Sequence, residues 1–258
     1  MKILSLNCQR GHRHTDLLRF FQENLQKKNF DFILLQEMPQ ETDDAFWERY
    51  SYKVLRHINK AGEQNEIGIV FNKTFDFVSS EFIDLDPGPV LQWVTKTFGA
   101  LIAVFKTNSS FVVLCSLHLP AFLQVKTREK SLLLIKKRLT EISTHYPNAP
   151  IVGGGDFNTI NKNERGTQRK ILADKFQLIN NNKPTYSSYH IEPSNLGNKL
   201  VWLLSRLGFN KNLTLDHIFT NNIVAVESLT ILPVLVSDHK PLLLLCDFAK
   251  QKEEVRNL

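Results

Sequence analysis

The sequence predicts an α/β protein of mixed α+β character, in which mixed β-sheets are covered by helices. Three observations lead there. Short apolar runs of strand length recur along the whole chain. Several of them are bounded by polar, turn-forming residues that read as hairpin connections. Longer stretches with apolar residues at helical spacing fall between them.

The elements follow in order. Lys2–Asn7 reads as a buried strand. Over Asp16–Lys28, the residues Leu17, Leu18, Phe20, Phe21 and Leu25 share one helical face, so this stretch is an amphipathic helix. Phe32–Gln36 is a second strand. Tyr52–Ile58 and Ile67–Phe71 form an antiparallel pair joined by polar residues 59–66. Asp86-Pro87-Gly88-Pro89 predicts a loop. Leu101–Thr107 and Phe111–Leu117 flank Asn108-Ser109-Ser110, a hairpin signal. Thr127–His145 is a strong amphipathic helix stopped by Pro147, and Ala149–Gly153 is a strand leading into Gly154-Gly155-Asp156. Asn163–Phe176 is a ragged helix and Asn180–Gly197 a polar surface loop. Leu215–Thr220, Ala225–Ile231 and Pro241–Phe248 complete the strands. Neither an internal repeat nor a low-complexity linker divides the chain, so residues 1–250 are expected to form one domain, followed by a short charged tail over 251–258.

Composition narrows the classes further. Hydrophobic residues make up 42% and charged residues 22%, values of an ordinary globular protein able to bury its own core. Cys8, Cys115 and Cys246 are far apart and each lies in or beside an apolar run, which predicts buried free thiols and argues against a disulfide scaffold or a zinc–thiolate site. The N-terminus lacks the pattern of a cleaved signal peptide, and the longest apolar runs are far shorter than a membrane span. A cytoplasmic protein, monomeric and without a membrane span, is therefore expected. The net charge of +6 is compatible with nucleic acid, anionic lipid or another phosphorylated partner. The densest basic stretch, Lys126–Lys137, reads as the solvated face of its helix.

Six polar clusters share one placement beside apolar strands: Asn7-Cys8-Gln9, Gln36-Glu37, His118, Gly155-Asp156-Phe157-Asn158, Asp216-His217 and Ser237-Asp238-His239. A strand end is where a rigid scaffold can hold chemistry open to solvent. Singly, each has a bland explanation: a loop acid for Glu37, a turn cap for Asp156, a core histidine for His118, an ion-pair partner for Asp216 and a cap for Asp238-His239. Together they supply what metal-assisted hydrolysis of a phosphate ester requires. Hard cations take oxygen ligands, a phosphoryl group needs its charge neutralised and its water aligned, and a carboxylate-held histidine can polarise or move a proton.

The ordered set Leu-Asn-x-Gln, Leu-Gln-Glu, His-Leu, Gly-Asp-Phe-Asn, Leu-Asp-His-Ile-Phe and Ser-Asp-His, spanning Asn7 to His239, resembles the endonuclease/exonuclease/phosphatase superfamily. The resemblance implies a four-layer α/β/β/α sandwich of two packed mixed sheets, with the site at one end. It implies a phosphoric ester hydrolase using Mg²⁺ or Mn²⁺ and one water attacking in line. Glu37, Asn7 and Asp238 match positions at the metal. Asp156 matches the residue that orients or deprotonates water. Asn158 and His118 match phosphate-binding positions, with His118 also near the leaving group. His239 matches the proton-handling histidine, and Asp216 the acid that orients it. Tyr186, after Thr185, matches a segment lining the substrate side. Glu63 and Glu66 are alternative supports for His118. An arginine that many members carry just before the Asp216 motif is replaced here by Thr214-Leu215.

A nucleic-acid phosphodiester is the expected substrate, from the basic charge. An inositol phosphate or a sphingomyelin-type lipid is the alternative, and a non-catalytic phosphate-binding module the distant one. Lys162, Arg165, Arg169 and Lys170 lie near Gly-Asp-Phe-Asn and also read as the exposed face of a helix. Arg10, His12 and Arg13 fit a phosphate contact or a solvated turn equally well. Trp202 and Phe209 fit base stacking less well than packing, and Val201–Phe209 is a short apolar segment that could touch a membrane.

Overall fold

The computed structural model describes residues 1–9, 13–27, 29–39, 41–57, 66–85, 98–107, 110–121, 125–179, 183–186, 213–234 and 236–248. Arg10, His12, Glu63, Trp202, Phe209, the 86–89 loop, the 201–209 segment, most of the 180–197 loop and the 251–258 tail lie outside them. So does the side chain of Glu66.

Two six-stranded sheets carry the fold. The first is built from β1 (Lys2–Asn7), β2 (Phe32–Met38), β3 (Tyr52–His57), β4 (Glu66–Asn72), β11 (Ala225–Ile231) and β12 (Leu242–Asp247), in the order β11-β12-β1-β2-β4-β3. The second is built from β5 (Asp76–Asp84), β6 (Gly99–Lys106), β7 (Phe111–His118), β8 (Ile151–Asp156), β9 (Phe176–Ile179) and β10 (Asp216–Asn221), in the order β5-β6-β7-β8-β10-β9. Among the described residues only β1–β2 and β7–β8 are parallel; the other described pairs are antiparallel.

The sheets pack face to face, and the period of two decides which side chains meet there. Ile3, Phe32, Leu34, Ile69, Ala103, Leu114, Val152, Ile218 and Leu244 fill the inter-sheet core. Their strand neighbours face outward. Leu4, Leu6, Ile33 and Leu35 pack under α1 (His14–Gln26) and α2 (Asp44–Glu48) through Leu17, Phe21, Phe46 and Trp47. Val113, Cys115, Leu117 and Ile151 pack under α3 (Val125–His145) and α4 (Lys162–Leu172) through Leu132, Ile135, Leu139 and Leu172. The result is the predicted α/β/β/α sandwich. Both faces of the central strands are covered, which is why they read as continuous apolar runs rather than alternating ones. All three cysteines are buried and free, as the sequence indicated.

Several expectations change. The glycine run is strand, not turn: β8 continues to Asp156, and glycine is required because a Cβ on Gly153 would lie 2.1 Å from the Phe219 ring. The ragged helix stops at Leu172, and Phe176 begins β9 instead. The basic face of α3 is not wholly solvated, since Arg128 is fully buried. Its Nε donates to Glu164 Oε1 at 2.6 Å and it also donates to the Pro120 carbonyl, while Glu164 Oε2 accepts from Ile160 N. A buried pair is favourable only when its remaining groups are bonded, and here it ties α3 to α4 and to the turn entering α4.

Gly166 sits mid-helix in α4 with nothing within 4 Å of where a Cβ would stand. Gly166→Ala is therefore expected to raise unfolding stability by roughly 0.5–1 kcal/mol, by restricting the unfolded chain. A urea midpoint no higher than that of the wild type would contradict it.

Candidate active site

Strand parity delivers the polar clusters to one rim. Asn7, His118 and Asp156 are the last residues of β1, β7 and β8. Each continues the inward-facing set of its strand: Ile3-Ser5-Asn7, Leu114-Ser116-His118 and Val152-Gly154-Asp156. His118 pairs in register with Asp156 in the parallel β7–β8 ladder. Asp216 opens the antiparallel β10 directly opposite Asp156. Asp238 and His239 lie on the approach to β12.

Glu37 reaches the rim by a bulge. Continued as a regular strand, β2 would point Glu37 outward with Leu35, into the core under α1. The register instead shifts between Leu35 and Met38, and Glu37 takes φ 49°. The extra residue resets the alternation, so Met38 joins the outer core and Glu37 turns inward. Asn158, also at positive φ (50°), is the second residue beyond β8; positive φ in non-glycine residues concentrates at functional sites.

The side chains interlock. His239 Nδ1 lies 2.9 and 3.0 Å from the two Asp216 oxygens, so it donates there and Nε2 faces the cleft. His239 Nε2 stands 3.8 Å from both Asp156 Oδ2 and Asp238 Oδ1. Asn7 Nδ2 donates to Asp156 Oδ2 at 3.1 Å, crossing from one sheet to the other. His118 Nε2 lies 3.7 Å from Glu37 Oε1 and 3.7 Å from Asp156 Oδ2. Asn158 N donates to Asp156 Oδ1 at 2.8 Å, and its amide donates to the Leu119 carbonyl. Tyr186 makes an isolated β-bridge with His239, their rings 5.2 Å apart. Asn7, Glu37, His118, Asp156, Asn158, Tyr186, Asp216, Asp238 and His239 thus lie in one cluster.

Electrostatics follow from burial. Burial alone would depress the His239 pKa, but the carboxylates of Asp216, Asp156 and Asp238 outweigh it and hold the imidazole well above its ordinary value. Burial raises the Asp156 pKa and Asp216 adds to this, against the opposing pull of His239, His118 and the Asn158 amide. His217, next to Asp216, faces the other way. Burial, reinforced by Arg165, keeps it neutral with a pKa of about 3, its ring edge-on to Phe157.

The sequence reading gave no role to the residues that support the site, although they lie in or beside the sequence motifs. Gln36 Nε2 donates to Ser116 Oγ, which donates in turn to the Leu35 carbonyl, a buried bridge between the sheets just below the site. Thr185, fully buried, accepts from the backbone N–H groups of both Leu215 and Asp216 at 3.0 Å, while its carbonyl accepts from Lys240 N. The available signal was polarity at an inward position of an apolar strand, legible for Ser116. Thr185 had only its place beside Tyr186 in the segment matched to the substrate side, because its role as an acceptor is set by the loop it folds against. Arg13 is paired with Asp16 at 3.8 Å.

A model of the Endonuclease/Exonuclease/phosphatase family matches residues 4–239. The chain belongs to this family. Its members hydrolyse phosphate esters, and this chain is a phosphoric ester hydrolase of that kind. No match is found among curated proteins. Among solved structures, D. rerio TDP2 complexed with a single-strand DNA product is similar at TM-score 0.73 and 17% identity, over 96% of this chain and 98% of that one. A Bacteroides thetaiotaomicron mannosyl-6-phosphatase is similar at TM-score 0.71 and 17% identity, over 96% of this chain and 100% of that one. At that identity they bear on fold alone, and they share the sandwich architecture. Among the described residues no helix is long and apolar enough to cross a membrane.

Proposed function

We propose that this family member is a Mg²⁺- or Mn²⁺-dependent phosphodiesterase acting on nucleic acid. The observation that carries the chemistry is the line Asp216–His239–Asp156: an imidazole fixed by one buried carboxylate, its free nitrogen facing a second. In this reading Asp156 orients the attacking water in line and takes its proton. His239 Nε2 donates to a phosphoryl oxygen as negative charge grows there. Asp216 holds the tautomer and the ring plane. The second N–H of the Asn158 amide remains for the scissile phosphate. His118 faces the leaving oxygen, and Tyr186 lines the substrate side.

The donor set fits a hard divalent cation. Glu37, Asp156 and Asp238 are buried carboxylates at the rim that also carries the Asn7 amide, and oxygen donors of this kind suit such an ion. Asp156, Asp216 and His239 offer ligand atoms within 4.8 Å of one another, but both Asp216 oxygens are engaged by His239. We assign the cation to Glu37, Asn7 and Asp238, the positions that the motif resemblance puts at the metal; Asn7 Oδ1 accepts from Gln9 N at 2.9 Å and keeps its second lone pair for the ion. When bound, it neutralises charge on the phosphoryl oxygens.

The net charge of +6 supports a polyanionic substrate, and a similar structure carries single-strand DNA. The likeness to a mannosyl-6-phosphatase supports a second reading, a small phosphate monoester. A panel of plasmid DNA, abasic-site DNA, 5′-tyrosyl oligonucleotide, single-stranded RNA, sphingomyelin and phosphorylated sugars, with Mg²⁺, Mn²⁺ or EDTA, separates them. EDTA-sensitive cleavage of a nucleic acid is expected; turnover of phosphorylated sugars alone would replace the substrate. Glu37→Ala is expected to lower kcat at least about 100-fold and to raise the Mg²⁺ concentration giving half-maximal rate. An unchanged metal dependence would move the cation away from Glu37.

A further inference from the structure

Beside the catalytic cluster, α4 borders a groove of about 750 Å³. It opens next to the loops that carry the site: Thr159 follows Asn158, Pro184 precedes Thr185-Tyr186, and Thr214 lies two residues before Asp216. Lys162, Arg165 and Arg169 line it at three- and four-residue spacing, and so share one helical face. Among the described residues no acid lines this groove and none of the three cations is paired with a carboxylate. The nearest acid on the helix, Glu164, is turned inward and consumed by Arg128 and Ile160 N.

Arg165 is the informative member. It is half-buried, and its Nε is shielded from solvent with no hydrogen-bond partner among the described residues. Burial and the neighbouring Arg169 both disfavour its charge. Holding like charges together around an open groove costs stability in the free protein, and an anion would relieve it. Thr159 and Thr214 are further polar lining residues. Gly166 also lines the groove and leaves its floor open.

We propose that this groove binds a non-scissile phosphate of the substrate, one placed beyond the bond that is cleaved. The inference rests on the phosphoric ester reading of the adjacent cluster. It makes Lys162, Arg165 and Arg169 specificity-determining residues that set KM for substrates bearing an additional phosphate, without contributing to the chemical step.

Two variants test it: the triple change Lys162→Ala, Arg165→Ala, Arg169→Ala, and Gly166→Trp, which fills the groove and leaves every cation in place. Far-UV circular dichroism checks the fold of each. Both are assayed on bis(p-nitrophenyl) phosphate, which has one phosphate, on thymidine oligonucleotides of increasing length, and on a sugar monophosphate paired with its bisphosphate. The expected result is unchanged kcat/KM on bis(p-nitrophenyl) phosphate and a KM at least about tenfold higher on substrates with the additional phosphate. A gain with oligonucleotide length that both variants abolish places a nucleic-acid backbone in the groove. A gain confined to the bisphosphate places the second phosphate of a small molecule there. Equal losses on all substrates, or none on any, would overturn the proposal.

Fluorescence anisotropy with a labelled oligonucleotide, without turnover, reads the groove separately. Wild-type binding that weakens as salt rises, with a shallower salt dependence in the triple variant, is expected. Equal affinity and salt dependence in wild type and variants would refute the groove even if hydrolysis is intact. Absence of wild-type turnover with binding preserved would instead count against the catalytic reading.

Discussion

His239→Ala is expected to lower kcat by roughly three orders of magnitude while the protein stays folded. The ring is held on one side by both Asp216 oxygens at 2.9 and 3.0 Å and on another by Tyr186, and its Nε2 is the cleft-facing donor between Asp156 and Asp238. Alanine removes this donor and leaves the buried Asp216 carboxylate without the ring it orients. The inter-sheet core lies below the rim, so unfolding should remain cooperative. Asp216→Asn should follow with a kcat loss of about 100-fold or more. It keeps the volume but replaces one of the two acceptor oxygens facing Nδ1 with a donor. Single-turnover and steady-state rates at saturating substrate, with near-UV circular dichroism, are the measurement. Near-wild-type kcat in folded His239→Ala protein would remove this histidine from the mechanism.

Gly155→Ala is expected to destabilise the protein by roughly 3 kcal/mol or more and to abolish activity with it. Gly155 has φ 149°, a conformation that side chains rarely adopt. A Cβ there would stand 1.9 Å from the Leu117 carbonyl oxygen and 3.1 Å from Gln36 Nε2. The first clash is with backbone, which cannot rotate away. Relief requires β7 and β8 to part where His118 pairs with Asp156, and the second contact loosens the Gln36–Ser116 bridge. Thermal and urea unfolding check the loss. A variant within 1 kcal/mol of wild type would mean that the ladder bends there at little cost.

Apolar runs with clear periods were enough for the central strands, for α1 and for α3, because burial on both faces writes itself into composition. The elements that escaped are either too short to show a period or held by pairing. β5 is largely exposed and polar, so its alternation carries no hydrophobic signal; its ladder with β6 makes it a strand. α2 spans only five residues and depends on the Asp43 cap on Phe46 N and on burial of Phe46 and Trp47. β9, with four residues, is defined by its partner β10.

The same division holds at the site. The sequence by itself determined the residue inventory and its order, because each motif is a local pairing of an apolar strand with a reactive side chain. From Asn7 to His239 those motifs were sufficient to name the fold and the chemistry. Tertiary structure alone decided which side of each strand a residue presents and what stands opposite it. Adjacent histidines and aspartates cannot be told apart by type. His217 is turned into the outer layer and kept neutral, while His239 receives Asp216 from a strand that is distant in sequence. Glu37 joins the site only because a bulge reverses the parity of β2, and Asn7 meets Asp156 only because two sheets pack. Such contacts join residues far apart along the chain, and local propensity holds no record of them.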